Sequence, residues 1–355
     1  MTEPREGDQP AGGADPLAGL ELWFARHGLT YFVPEERAAV REALRPRRAL
    51  PLVAAVLVVA GAGGVALTLL SDDLGAGPAL LLTLGGVAAL GYAMTALRAR
   101  PILAWALSRT FGSLSRLLPM MSRALPLLLL FVTFLFINAE VWQLAASLNA
   151  GVLWLTVLLF GACAVAFLLV RLPEEVDRVD DDVDGAFLTR ACAGTPFEEP
   201  CARLLADPAD LADPAGPAAD PVAYAEVSGF ERWNLILALL VIQAVQVLLL
   251  ALGVFVFFLL FGALAMTDGV QLAWTGHDQL HSASWLPTVS VELLQVSVFL
   301  AAFSGLYLTV STVVDDTYRE QFFGGVLREL ERAVGVRAVY RALRAAGPPA
   351  GSPTA

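Results

Sequence analysis

The chain contains no lysine, so all 23 basic residues among its 355 are arginine. Chemistry that needs a lysine Schiff base or a P-loop lysine is therefore excluded. Charge of either sign is scarce, at 16% of residues against about 25% in an ordinary soluble protein. Histidine and cysteine each occur three times. Cys163 falls within an apolar stretch, and Cys192 and Cys201 do not form a CxxC pair, so no stable disulfide is expected. No Walker A sequence, dinucleotide glycine fingerprint or GxSxG elbow occurs. The net charge of −11 removes nucleic acid as a partner, since phosphate binding needs a basic surface.

What the chain has in excess is apolar surface: 57% of its residues are hydrophobic. Six stretches reach the length of about 17–25 residues that a helix needs to cross roughly 30 Å of hydrocarbon. They run over Leu50–Leu70, Pro78–Leu97, Ala124–Leu148, Val152–Val170, Asn234–Met266 and Val289–Val313. The first begins too far from the start to be a cleaved signal peptide, and five more follow it. The chain reads as an all-α, polytopic membrane protein with the lipid bilayer as its solvent. Span five is longer than it needs to be, and should tilt, protrude or break near Gly253 or Gly262.

Arginine positions give the orientation. Seven precede span one, five lie between spans two and three, five between spans four and five, and six follow span six. Ser71–Gly77, Asn149–Gly151 and Thr267–Thr288 have none. By the positive-inside rule both termini are cytoplasmic. With the Ala-, Gly-, Pro- and Arg-rich composition of GC-rich coding, this points to a bacterial inner membrane.

The segment 1–49 reads as cytoplasmic helices. Leu20, Trp23, Phe24 and His27 share one face, Gly28 ends that helix, Pro34 starts the next and Pro46 stops it. Leu103, Leu107, Phe111, Leu114 and Leu118 suggest an amphipathic interfacial helix near 101–120. Phe323, Leu327, Leu330 and Val334 form a stripe that carries span six into a cytoplasmic helix, ahead of a disordered tail from Gly347. The link 171–233 is acidic: Leu172–Trp233 holds 15 acids and four arginines, the whole net charge of the chain. Its Ala/Asp/Pro-rich part, Ala206–Pro221, is expected to be disordered.

Three constellations carry chemistry. Asp180, Asp182, Asp184 and Gly185 match the opening of an EF-hand loop, but Ala191 stands where the bidentate glutamate belongs, so a solvated linker explains them as well. His277 and His281 flank Asp278 in the sequence HDQLH. That spacing puts both rings on one face of a helix, like a zinc half-site, with no third ligand fixed. Asp268, Glu292, Asp72 and Asp73 lie on the same side. Within spans, Asn138, Glu140 and Gln143 in span three and Gln243 and Gln246 in span five are either helix-packing glue or a polar path that also takes in Glu292. Gly61, Gly63 and Gly64 in span one suit close helix packing.

The preferred reading is a non-enzymatic accessory protein that docks a cytoplasmic-side protein partner through the acidic loop and C-terminal helix. Its rival is a permease or channel for a small cation or solute, with Asn138, Glu140, Gln243, Gln246 and Glu292 along the path. A membrane metal hydrolase using His277 and His281 is the remote third. No cofactor is implied, and the sequence leaves homo-oligomerisation open.

Overall fold

The computed structural model describes residues 16–71, 73–112, 128–206, 220–283, 286–314 and 316–345. Its helices are α1 (Pro16–Arg26), α2 (Pro34–Ala43), α3 (Pro46–Ser71), α4 (Ala76–Thr95), α5 (Arg100–Gly112) and α6 (Leu128–Phe136). They continue as α7 (Ala139–Ser147), α8 (Ala150–Asp181), α9 (Gly185–Cys192), α10 (Glu198–Ala206), α11 (Gly229–Ala265), α12 (Asp268–Thr275), α13 (Val291–Val314) and α14 (Asp316–Ala345). Among the described residues one antiparallel pair, β1 (Ser282–Ala283) and β2 (Leu286–Ser290), interrupts an otherwise all-α fold.

Five helices are long and apolar enough to cross a membrane: α3, α4, α8, α11 and the Val291–Ser311 part of α13. A sixth exists only if α6 and α7 count as one span, and these are bent by 74°. The unbroken helix expected over Ala124–Leu148 is thus corrected. Asn138 leaves the helical region (φ −106°, ψ 117°), and its side-chain oxygen accepts a hydrogen bond from Glu140 N at 2.8 Å. That N-cap starts a new helix. Span five goes the other way: α11 runs through Gly253 and Gly262 without a break. A Cβ on Gly262 would collide with the Leu293 side chain, so the glycine there serves close packing, not bending. Pro46 occupies the first position of α3, where its missing N–H costs nothing, so it opens a helix besides closing one.

The chain divides into two compact units. The larger covers residues 38–174 and 236–326. In it α3 packs on α4 where Gly64 meets Gly77, whose backbones leave no room for side chains; Gly61 has nothing nearby. Asp73 accepts from Gly75 N at 2.8 Å and Gly151 N at 2.9 Å, joining two interhelical turns, while Asp72 lies outside the described residues. α5 buries Ile102, Ala106 and Thr110, and Phe111 is exposed. The inward face is therefore not the Leu103, Leu107 and Phe111 stripe, and Leu114 and Leu118 lie outside the described residues. α7 packs on α12 and α13 through buried Trp142, whose Nε1 donates to Phe136 O at 2.7 Å across the break. Val58, Val59, Leu69 and Leu70 of α3 and Leu248, Leu260 and Leu264 of α11 are exposed, an arrangement compatible with helices surrounded by lipid.

The smaller unit comprises the described residues of 1–37, 175–235 and 327–355. Phe24 is its centre, with ring centroids 5.5 Å from Phe32, 5.4 Å from Phe197 and 5.1 Å from Tyr340. The expected end of α1 is observed, with Gly28 at φ 69°. α14 buries Leu330 and Val334; the Phe323 side chain and the tail from Gly347 lie outside the described residues. The acidic link is largely folded. α9 and α10 bury Phe187, Leu188, Leu204, Cys192 and Cys201, enough apolar surface to order a chain that its charge made look solvated. Of the stretch expected to be disordered, Ala206 ends α10, Asp220 caps a 3-10 turn over Pro221–Tyr224, and residues 207–219 lie outside the described residues.

Candidate metal centre

α12 ends where glycine permits it. Gly276 takes the left-handed conformation (φ 72°) and its N–H donates to Leu272 O at 3.0 Å, so His277 and His281 stand beyond the helix. The expectation that i,i+4 spacing sets both rings on one helical face is corrected. They are brought together by the β pair. Ser282 lies opposite Ser290, and Val291 N donates to His281 O at 2.6 Å, which sets His281 beside the first turn of α13.

Glu292 lies in that first turn, where a carboxylate meets the positive end of the helix dipole. It is 1% exposed. Its Oε1 lies 2.9 Å from His281 Nδ1 and 3.4 Å from His277 Nδ1, and both of its oxygens are 3.3 Å from His281 N. One potential ligand atom from each of the three residues lies within 4.8 Å of the others. The His277 side chain is 35% exposed and that of His281 74% exposed, so the cluster opens on one side.

The surroundings hold the carboxylate in place. Ser290 Oγ accepts from Leu293 N at 3.1 Å, an N-cap on α13, and donates to Gln271 Oε1 at 2.5 Å. Gln271 is buried, and its Nε2 donates to Met266 O at 3.0 Å. α12 and α13 are thereby tied on either side of the site.

Two imidazoles and a carboxylate form a donor set suited to a divalent transition metal. Zinc sites use metal–nitrogen and metal–oxygen distances of about 2.0–2.2 Å and keep a fourth position open when only three protein ligands are present. Ligand atoms around a tetrahedral ion at that length stand about 3.4 Å apart, and Glu292 Oε1 lies 2.9 and 3.4 Å from the two Nδ1 atoms. Asp278, between the histidines, is not part of the cluster.

The other sequence candidates are placed elsewhere. Asp184 N-caps α9 through Phe187 N at 2.6 Å, Asp180 accepts from Val227 N at 2.9 Å, and Asp182 is exposed. The three do not form a metal-holding group among the described residues. Asn138 is the cap of α7, and Asn138, Glu140 and Gln143 are all exposed, in contrast to the buried Trp142. Gln243 and Gln246 are buried, with Gln243 Nε2 and Gln246 Oε1 lacking hydrogen-bond partners, as does Ser297 Oγ on α13. The sequence reading set Glu292 on the same side as the histidines without fixing it as their third ligand, which the structure brings to them. It missed that the Cys192 and Cys201 thiols share a hydrogen bond that, with burial, raises the Cys192 thiol above its ordinary range. Comparison with protein-family models, curated proteins and solved structures finds no match for this chain in any of the three.

Proposed function

We propose that this is a non-enzymatic accessory protein of a bacterial plasma membrane, with both termini cytoplasmic, that binds a divalent transition-metal ion on its outer face. The observation that carries the reading is the convergence of His277, His281 and buried Glu292. The absence of arginine from Thr267–Thr288 supports placing that site outside. The smaller unit, with five of its arginines on the described part of α14, supports a cytoplasmic face available to a protein partner. Full-length protein in nanodiscs, stripped with chelator, is expected to bind one zinc ion in competition with a chromophoric indicator, and His277→Ala to abolish binding. A wild-type protein that takes up no zinc, cobalt or nickel at micromolar concentration defeats the proposal.

A permease is the second reading, favoured by Gln243 Nε2 and Gln246 Oε1, buried within α11 without hydrogen-bond partners. Buried polar groups without partners are costly in hydrocarbon, and water or a passing solute would satisfy them. Proteoliposome flux of zinc that is lost in Gln243→Leu with Gln246→Leu supports transport. A sealed vesicle with intact zinc binding and no flux removes it.

A further inference from the structure

The smaller unit has an open cavity, a surface cleft of about 420 Å³, that the metal centre does not explain. Its volume falls in the range of small-molecule sites, roughly 300–1,000 Å³. Pro34 and Arg37 of α2, Tyr224, and Tyr340, Arg341 and Arg344 of α14 line it. Every charged residue in the lining is arginine.

The arginines are held from behind. Glu231, 2% exposed, accepts from Arg37 NH1 at 2.6 Å, from Arg337 Nε at 2.9 Å and from Arg341 NH2 at 3.1 Å. Arg337 is itself buried and donates to the carbonyls of Tyr224 and Glu226 at 2.5 and 2.6 Å. One carboxylate thus orients two cavity arginines, and each guanidinium has five N–H donors, so most are left over. Arg344 NH1 spends a long 3.3 Å bond on the Tyr340 hydroxyl, which donates to Glu21 at 2.5 Å. The three arginines of the lining, Arg37, Arg341 and Arg344, stand against the carboxylates of Glu231 and Glu21, while Asp180 acts on the buried Arg337 behind them.

A purely structural account explains part of this. Arg344 lies in the last turn of α14, where a cation offsets the carbonyl dipoles. Glu231 in turn draws Arg37 and Arg341 to the opening, but three guanidinium groups then face one cleft, and among the described residues Arg344 pairs with no carboxylate there, its contact being the Tyr340 hydroxyl. Guanidinium forks match the oxygens of a phosphate two at a time, and tyrosine rings add flat apolar walls. We infer that the cavity walled by Arg37, Arg341, Arg344, Tyr224 and Tyr340 binds a phosphate-bearing anion. The phosphate belongs either to a soluble compound or to a lipid headgroup.

Calorimetry of metal-free, full-length protein in phosphatidylcholine nanodiscs, titrated with pyrophosphate, tests the soluble source. One pyrophosphate is expected per chain, and Arg344→Gln is expected to weaken it about tenfold. Ala345→Glu, which sets a carboxylate at the rim of the exposed helix end, is expected to weaken it as much while circular dichroism stays unchanged. Native mass spectrometry after reconstitution with phosphatidylglycerol tests the lipid source. Retained anionic lipid that is lost in both variants assigns the phosphate to a headgroup. The inference is overturned if pyrophosphate does not bind and no lipid is retained, or if binding is indifferent to both variants.

Discussion

Two buried carboxylates invite comparison. Glu231 stands in the first turn of α11 and Glu292 in the first turn of α13, both almost fully buried. The difference lies in their partners. Glu231 meets three arginines, whose charge is permanent, and Arg337 among them is itself buried. Glu292 meets two histidines, which bind protons or metal ions in exchange and reach solvent. Among the described residues the Glu231 carboxylate has no exchangeable partner and serves to hold its arginines in place, two of them at the cavity they line. Glu292 can change its occupant, and that is what separates a carboxylate that orients cations from one that can ligate a metal.

The comparison breaks most visibly at Arg337. Arg337→Leu strands part of the Glu231 charge and leaves the Tyr224 and Glu226 carbonyls unpaired, so a loss of about 3–5 kcal/mol is expected. Thermal unfolding in nanodiscs measures it, and the pair Arg337→Met with Glu231→Leu should recover most of the loss, because Arg37 and Arg341 can turn to water. At the other carboxylate, Glu292→Gln is expected to weaken zinc at least a hundredfold, about 2.7 kcal/mol. Glu231→Gln should leave zinc affinity unchanged. Equal effects of the two on zinc titration would erase the distinction.

Hydropathy alone located most of the helices that are long and apolar enough to cross a membrane, because a run of apolar residues can satisfy its backbone in lipid only as a helix. The exceptions have local causes. Asn138 carried a readable N-cap signal, with Glu140 in the following turn, that the surrounding apolar run masked. Gly276 likewise announced the end of α12 ahead of His277. The meeting of His281 with Glu292 was not legible, since it depends on the register of the β pair, which no spacing encodes. The folding of the acidic link was obscured because Phe187, Leu188, Phe197 and Leu204 are few, and their burial partners, Phe24 among them, come from the other end of the chain.

The smallest effect on stability comes from exchanging the partner type. His281→Arg gives Glu292 a permanent cation at a site where the native side chain is mostly exposed, so stability should shift by no more than about 1 kcal/mol. Zinc binding should nevertheless vanish, since a guanidinium is not a ligand. A variant that kept its zinc would show that the ion binds without His281, and the two carboxylates would then differ only in burial partners, not in function.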